Sequence, residues 1–338
     1  MSSWIELKEL VEIDSPVGYT QKASQYIFEK LESYGFQPEY TKKGAVRCHL
    51  GPFPKIALAA HVDTLGAMVS QIHRDGTLGF TTLGGLNLPV FEGEYVRIYT
   101  MDSHVYHGTL VLKNPSAHAN RNAYTQERNT QNMCIRLDEK VESKVDVENL
   151  NIRVGDIIAF DPRYVHLPSG YIKSKFLDNK TGCYVLLQIA KSLREAEKKV
   201  GVELFFSNYE EVGHGAAPGF ASTVEELIVV DMGVLGTGLS GQETKCSICA
   251  KDSSGPYDYE LRKELVNLAE ENQIPYALDV YPYYGSDGSA ALRAGHDIRV
   301  ALIGPGVAAS HGAERTHEQG LEATIALIQA FIQKRIEV

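Results

Sequence analysis

The sequence predicts an α/β fold, a sheet with helices on both faces, interrupted by a β-rich insertion. Two observations predict it. Strand and helix patterns alternate from Asp178 to the C-terminal region, as they do where helices cross over a largely parallel sheet. Between about residues 72 and 160 the texture changes to short alternating segments among Gly and Asp turns, which read as small antiparallel strands.

Taken in order, residues 4–11 and 21–34 place apolar side chains at three- and four-residue spacing and predict amphipathic helices. The break Ser15-Pro16-Val17-Gly18 separates them. The apolar run 56–60 is long enough for a buried strand and too short for a helix. In the insertion, residues 95–99 and 105–112 alternate as strands do, and the polar stretch 114–131 reads as a long loop. Beyond Asp178, helices are expected over 180–198, 257–271, 286–294 and 318–334, and strands over 202–206, 227–230, 276–280 and 299–303. One α/β domain over residues 1–70 and 169–338, split by a β-rich domain at 71–168, accounts for this order.

The 338 residues carry 33 Lys and Arg against 43 Asp and Glu, a formal charge of −10. With 43% apolar residues the chain is far from the disordered regime. An acidic balance without a basic run argues against a phosphate-tracking surface, so no nucleic-acid partner is expected. The N-terminal residues lack the basic patch and apolar core of a signal peptide, and no uninterrupted apolar stretch is long enough to span a bilayer. The expectation is therefore a cytoplasmic protein without a membrane partner. Five scattered cysteines do not make a disulfide framework, and Cys246-Ser247-Ile248-Cys249 reads as two reduced thiols in a strand.

In open α/β sheets, ligands bind beyond the carboxyl ends of the strands. Those ends carry acids and histidines here. The run 56–60 ends in His61-Val62-Asp63, whose His61 and Asp63 share a strand face. The strand at 202–206 leads to Glu210-Glu211, that at 227–230 ends in Asp231, and that at 299–303 leads to His311. Asp178 opens the long helix. Converging buried carboxylates repel unless cations neutralise them. Two histidines and three carboxylates suit two borderline divalent metals such as zinc, one carboxylate bridging. A spare Glu beside a ligand Glu is placed to move a proton.

These segments resemble the tetrahedral (TET) or glutamyl-type aminopeptidases, dinuclear metallopeptidases of the zinc-peptidase-like clan. The likeness runs in order through Ala60-His61-Val62-Asp63, Leu177-Asp178-Asn179-Lys180, Glu210-Glu211-Val212-Gly213, Val230-Asp231-Met232-Gly233, Asp252-Ser253-Ser254-Gly255-Pro256-Tyr257 and Ser310-His311-Gly312-Ala313-Glu314. The resemblance implies a mixed sheet and a small β-barrel-like insertion that serves dimerisation and substrate access. It implies that His61 and Asp231 bind one metal, that Glu211 and His311 bind the other, and that Asp178 bridges them. Zinc is the expected metal, with cobalt or manganese as alternatives. Glu210 is the implied general base, acting on a water shared by the metals, and Asp63 the implied partner that orients His61. Peptide substrates and a homo-oligomer, a dimer and commonly a twelve-subunit shell, are implied as well. His214-Gly215-Ala216, Gly285-Ser286-Asp287-Gly288 and Val307-Ala308-Ala309 depart from the usual family pattern where substrate is expected. The ending 311–317 and the run Glu92-Gly93-Glu94-Tyr95 look closer to a bacterial subgroup associated with synthesis of a small peptide osmolyte.

Gly236-Thr237-Gly238-Leu239-Ser240-Gly241 spells a dinucleotide-binding pattern, but no helical period follows, so a glycine loop is expected. His317 is the one rival to His311 as a ligand. A related metallohydrolase acting on N-acyl amino acids or a modified dipeptide is the alternative activity, and a non-catalytic scaffold is the third reading.

Overall fold

The computed structural model describes residues 3–196, 200–217 and 219–336, which form two compact units, 1–63 with 163–338 and 64–162. The larger unit is built on a ten-stranded mixed sheet. Its centre is four parallel strands in the order Val202–Ser207, Ile56–His61, Glu226–Val230 and Arg299–Val307. Val46–His49 joins antiparallel on one side, and Cys246–Asp252 joins antiparallel to Arg299–Val307 on the other. The edge strand Tyr276–Val280 runs parallel to Cys246–Asp252.

The central strands are buried on both faces, which is why their sequences read as unbroken apolar runs rather than alternating ones. Period two still divides their side chains between two cores. Leu58, Ala60, Leu204, Phe206, Ile228 and Val230 pack under the helices Ser3–Glu12, Gln21–Ser33, Leu177–Glu195, Tyr259–Glu271 and Glu318–Ile336. Ala57, Ala59, Phe205, Leu227 and Val229 face the other way, under the short helix Asp287–Arg293 and the loops around Ala216, Phe220 and Tyr257. The sheet is thus covered on both faces, thickly on one and thinly on the other.

The smaller unit is a closed six-stranded barrel, in the order Gly66–Ile72, Leu78–Leu83, Met133–Leu137, Val105–Leu112, Tyr95–Tyr99 and Ile157–Phe160. Buried Val69, Phe80, Ile98, Leu110, Ile135 and Ile158 fill it, and Gly66–Ile72 pairs with Ile157–Phe160 to close it. The polar stretch 114–131 is not featureless: Arg121–Tyr124 forms a 3₁₀ turn, and the Arg128 guanidinium ties Glu92 to the carbonyls of Ala123 and Gln126.

The helix expected over 180–198 spans Leu177–Glu195, and its expected end at Lys198 lies outside the described residues. The hairpin Glu39–Tyr40 with Val46–His49 has no counterpart in the sequence reading, because two and four residues are too few to show a period. Cys246 and Cys249 lie in one strand with burial pushing both thiols up to about 12, and all five cysteines are free. No helix follows the Gly236–Gly241 run; the Asp279 carboxylate fastens that loop by accepting from the N–H groups of Ser240 and Gly241.

Candidate metal centre

All seven residues singled out at strand ends lie in the larger unit. His61 is the last residue of its strand, and its side chain is 1% exposed. Its Nδ1 lies 2.9 Å from the Asp63 carbonyl oxygen, which can only accept, so Nδ1 carries the hydrogen. Nε2 is thereby directed to Asp178 Oδ1 at 3.1 Å, with Asp231 Oδ2 at 3.8 Å and Glu210 Oε2 at 3.7 Å. Asp178 presents its second oxygen elsewhere: Oδ2 lies 3.6 Å from His311 Nε2, which is 3.5 Å from Glu211 Oε2.

Two groups of potential ligand atoms result, His61–Asp178–Asp231 and Asp178–Glu211–His311, each with its atoms within 4.8 Å of one another. Asp178 belongs to both. Glu210 stands beside the first group, and all of these residues except the buried His61 border a cleft of about 420 Å³.

The backbone that delivers these side chains is bent. Phe176, Tyr209, Ala309 and His311 all take positive φ, between 56° and 66°, although none is glycine. Such residues are held only where surrounding contacts compel them, and they gather at functional sites. Here they lie at or within two residues of Asp178, Glu210, Glu211 and His311.

The contact expected between Asp63 and His61 is made by the Asp63 main chain. The carboxylate stands 3.8 Å from His61 Nδ1 and instead accepts from the backbone N–H groups of Glu210 at 3.1 Å and Glu211 at 3.2 Å. The main-chain carbonyl of Asp63, one atom group away, holds the imidazole. The residue therefore fastens His61 and the Glu-Glu pair together. His317, the rival ligand, lies outside both groups: its Nε2 is 3.0 Å from the Ser169 carbonyl oxygen, and its ring packs edge-on against Tyr171.

Burial and like charge govern the electrostatics. Burial first, and then the neighbouring carboxylates, push Glu210 and Glu211 well above the ordinary carboxylate range and Asp231 up to about 8. Burial alone would lower His61, but its hydrogen bond to Asp178 and the charges of Asp231, Glu210 and Asp63 raise it well above the usual value. Burial opposes ionisation of Asp178, yet His61 and His311 hold it below the usual range.

The donor set fits divalent cations. Carboxylate and imidazole ligands are those zinc and its neighbours take, and Glu211 Oε1 is buried without a hydrogen-bond partner among the described residues. Protons on the crowded carboxylates do in the metal-free chain what cations would do in the loaded one.

A pH dependence follows. Between an unfolded value of about 4 and their raised folded values, Glu210, Glu211 and Asp231 bind more protons folded than unfolded, so stability falls as pH rises. His61 has the same sign, since its contribution is complete below about 6.5 and is lost as pH climbs through its raised folded value. Asp178, lowered, matters only below about pH 4. The chelated chain is expected to melt at a lower temperature at pH 8 than at pH 5.5, and excess zinc to flatten or reverse that trend. Thermal scans with and without chelator check this, and a stripped chain that gains stability steadily to pH 8 contradicts it.

The cleft is completed by Met232 and Ser286, which stand in segments quoted from the sequence, and by Tyr283, Tyr284 and Arg293, which the sequence reading does not name. The last three come from a turn and a helix with no metal-binding motif, and only their closeness in space reveals them. The Tyr284 hydroxyl donates to the Met232 carbonyl at 3.2 Å.

The chain was compared with known proteins. The family model described as M42 glutamyl aminopeptidase matches residues 44–327. The protein YhfE of Bacillus subtilis (strain 168) is 43% identical over 332 residues, covering 97% of this chain and 96% of that one. Among solved structures, a TET aminopeptidase from a marine-sediment Thaumarchaeota archaeon superposes with a TM-score of 0.87 at 22% identity, covering 98% and 95% of the two chains. The TET1 peptidase of Pyrococcus horikoshii, described as assembling into a tetrahedron or a large octahedral shell, gives 0.86 at 23% identity and covers 98% and 99%. These two share the fold seen here, a mixed α/β sheet with a closed barrel.

Proposed function

The chain belongs to the M42 glutamyl aminopeptidase family, a family of metallopeptidases, and from that premise we propose that it removes N-terminal residues from peptides with a dinuclear metal site. One cation would be held by His61, Asp231 and Asp178, and the other by Asp178, Glu211 and His311. The observation that carries this reading is the division of Asp178, whose Oδ1 meets His61 and whose Oδ2 meets His311. Two cations held there would supply Lewis acidity, easing the loss of a proton from water and polarising a scissile carbonyl. Zinc is the proposed metal, and cobalt or manganese would suit the same donors.

Glu210 is the proposed general base. Its carboxylate accepts a proton from the attacking water and returns it to the departing amine. Burial supports that role, because it raises the proton affinity of the carboxylate above the ordinary range, so that it can keep a proton between the two transfers. Asp63 serves by position: the two N–H groups on its carboxylate fix where Glu210 and Glu211 stand.

The barrel unit is proposed as the dimerisation and access domain, and the protein as a cytoplasmic homo-oligomer, with a dodecamer as one form. The assemblies named for the Pyrococcus horikoshii TET1 peptidase support the homo-oligomer. No described helix is long and apolar enough to cross a membrane.

The test is an assay of the zinc-supplemented protein on free-amine peptides beside their N-acylated counterparts, with solution mass measured on the same sample. Cleavage of the free-amine series alone is the expected result. Cleavage of N-acyl amino acids alone would favour the alternative of a related metallohydrolase.

A further inference from the structure

Glu314 opens the strand Glu314–His317, which pairs antiparallel with Tyr171–Ser174 so that Glu314 stands opposite Ser174. That register sets its side chain between two segments, one leading to Asp178 and the other descending from His311. The side chain is buried, 3% exposed, and both of its oxygens are used. Oε2 accepts from the Asp178 N–H at 3.2 Å and Oε1 accepts from the His311 N–H at 3.1 Å. One carboxylate therefore ties together the main chains of two residues that are 133 positions apart in sequence. Its arrangement repeats that of Asp63, which spans the N–H groups of Glu210 and Glu211.

We propose that Glu314 is a positioning residue that sets the spacing of Asp178 and His311 and thereby completes the second cation site, Asp178–Glu211–His311. Glu314 itself belongs to neither group of candidate ligand atoms. His311 needs such a tether, because it has a left-handed backbone, φ 60°, and its imidazole is 39% exposed. His61, by contrast, is locked by burial and by the Asp63 carbonyl. Loss of the tether should therefore weaken the two sites unequally. Outer partners of metal ligands typically govern about 10- to 100-fold in affinity.

The inference rests on the dinuclear reading, and the experiment separates the two. Chelator-stripped wild type, E314A and E314Q are titrated with zinc alone by calorimetry. Wild type is expected to bind two ions per chain. E314Q keeps the shape but turns an amide N–H₂ toward one of the two N–H donors, and it is expected to bind the second ion about 10- to 100-fold more weakly than wild type and the first with a smaller loss. E314A is expected to do the same or worse, and where it does not fold, E314Q decides. Restored turnover in E314Q at saturating zinc, with an unchanged kcat, supports positioning over a catalytic part. Two tight ions in wild type and in E314Q alike overturn the role of Glu314. Fewer than two ions in wild type overturns the dinuclear reading instead.

Discussion

Glu210→Gln is expected to bind metal as the wild type does and to turn over peptides about 10³- to 10⁴-fold more slowly, a barrier increase of roughly 4–5 kcal/mol. The amide keeps the size of the side chain and can still accept a hydrogen bond, but it cannot take a proton from water. Because Glu210 belongs to neither group of candidate ligand atoms, metal content is expected to stay at two per chain. The backbone of residue 210 is held through its N–H on Asp63, so the substitution leaves that tether in place. Metal analysis and steady-state kinetics on one preparation check both halves. Near-normal turnover sinks the assignment of Glu210 as base, and loss of a metal ion would make it a ligand.

Asp178→Ala is expected to abolish metal binding at both positions and to reduce activity to background. No other side chain contributes to both groups of ligand atoms, and its two oxygens point to different histidines. Removing Asp231 or Glu211 would strip one site, whereas removing Asp178 strips one ligand from each. Three-ligand sites reduced to two hold divalent cations weakly. Asp178→Asn is the companion variant: it retains the side-chain volume and one accepting oxygen, and it is expected to keep at most one ion. Circular dichroism confirms that the variants are folded, and atomic emission gives the metal content. Two ions per chain in Asp178→Ala would refute the bridging role.

Much of the centre could be read from the sequence because its residues sit where apolar runs stop. A buried parallel strand is an unmistakable local signal, and the residue that follows it stands at the ligand-binding edge of the sheet. His61, Glu210, Glu211 and Asp231 were found in that way, each adjacent to a strand or a short loop beyond one. The division of the candidate ligands into two groups is not a local signal. It depends on where Asp178 sends its two oxygens, and the resemblance to the TET aminopeptidases supplied it.

What escaped the sequence reading was carried by hydrogen bonds to main chain and by contacts in space. Asp63 shares a strand face with His61, which suggested a carboxylate–imidazole pair, but the shorter path runs through the Asp63 carbonyl and frees the carboxylate for Glu210 and Glu211. Glu314 carries no signal of its own in the sequence, since a Glu three residues after a His has many ordinary uses. Tyr283, Tyr284 and Arg293 enter the cleft from a segment whose only visible oddity was Gly285-Ser286-Asp287-Gly288. In that segment Asp287 is buried and accepts from the Ser207 hydroxyl at 2.6 Å and the Ala216 N–H at 2.8 Å. It braces the turn that follows Glu211.

On the proposed reading, two cations on a shared Asp178 support peptide hydrolysis. The most direct measurement is a zinc titration of the chelator-stripped wild-type protein, following cleavage of a free-amine peptide. Negligible activity in the stripped protein, rising to a plateau at two ions per chain, is the predicted result. Full activity without metal, or a plateau reached at one ion per chain, would contradict it.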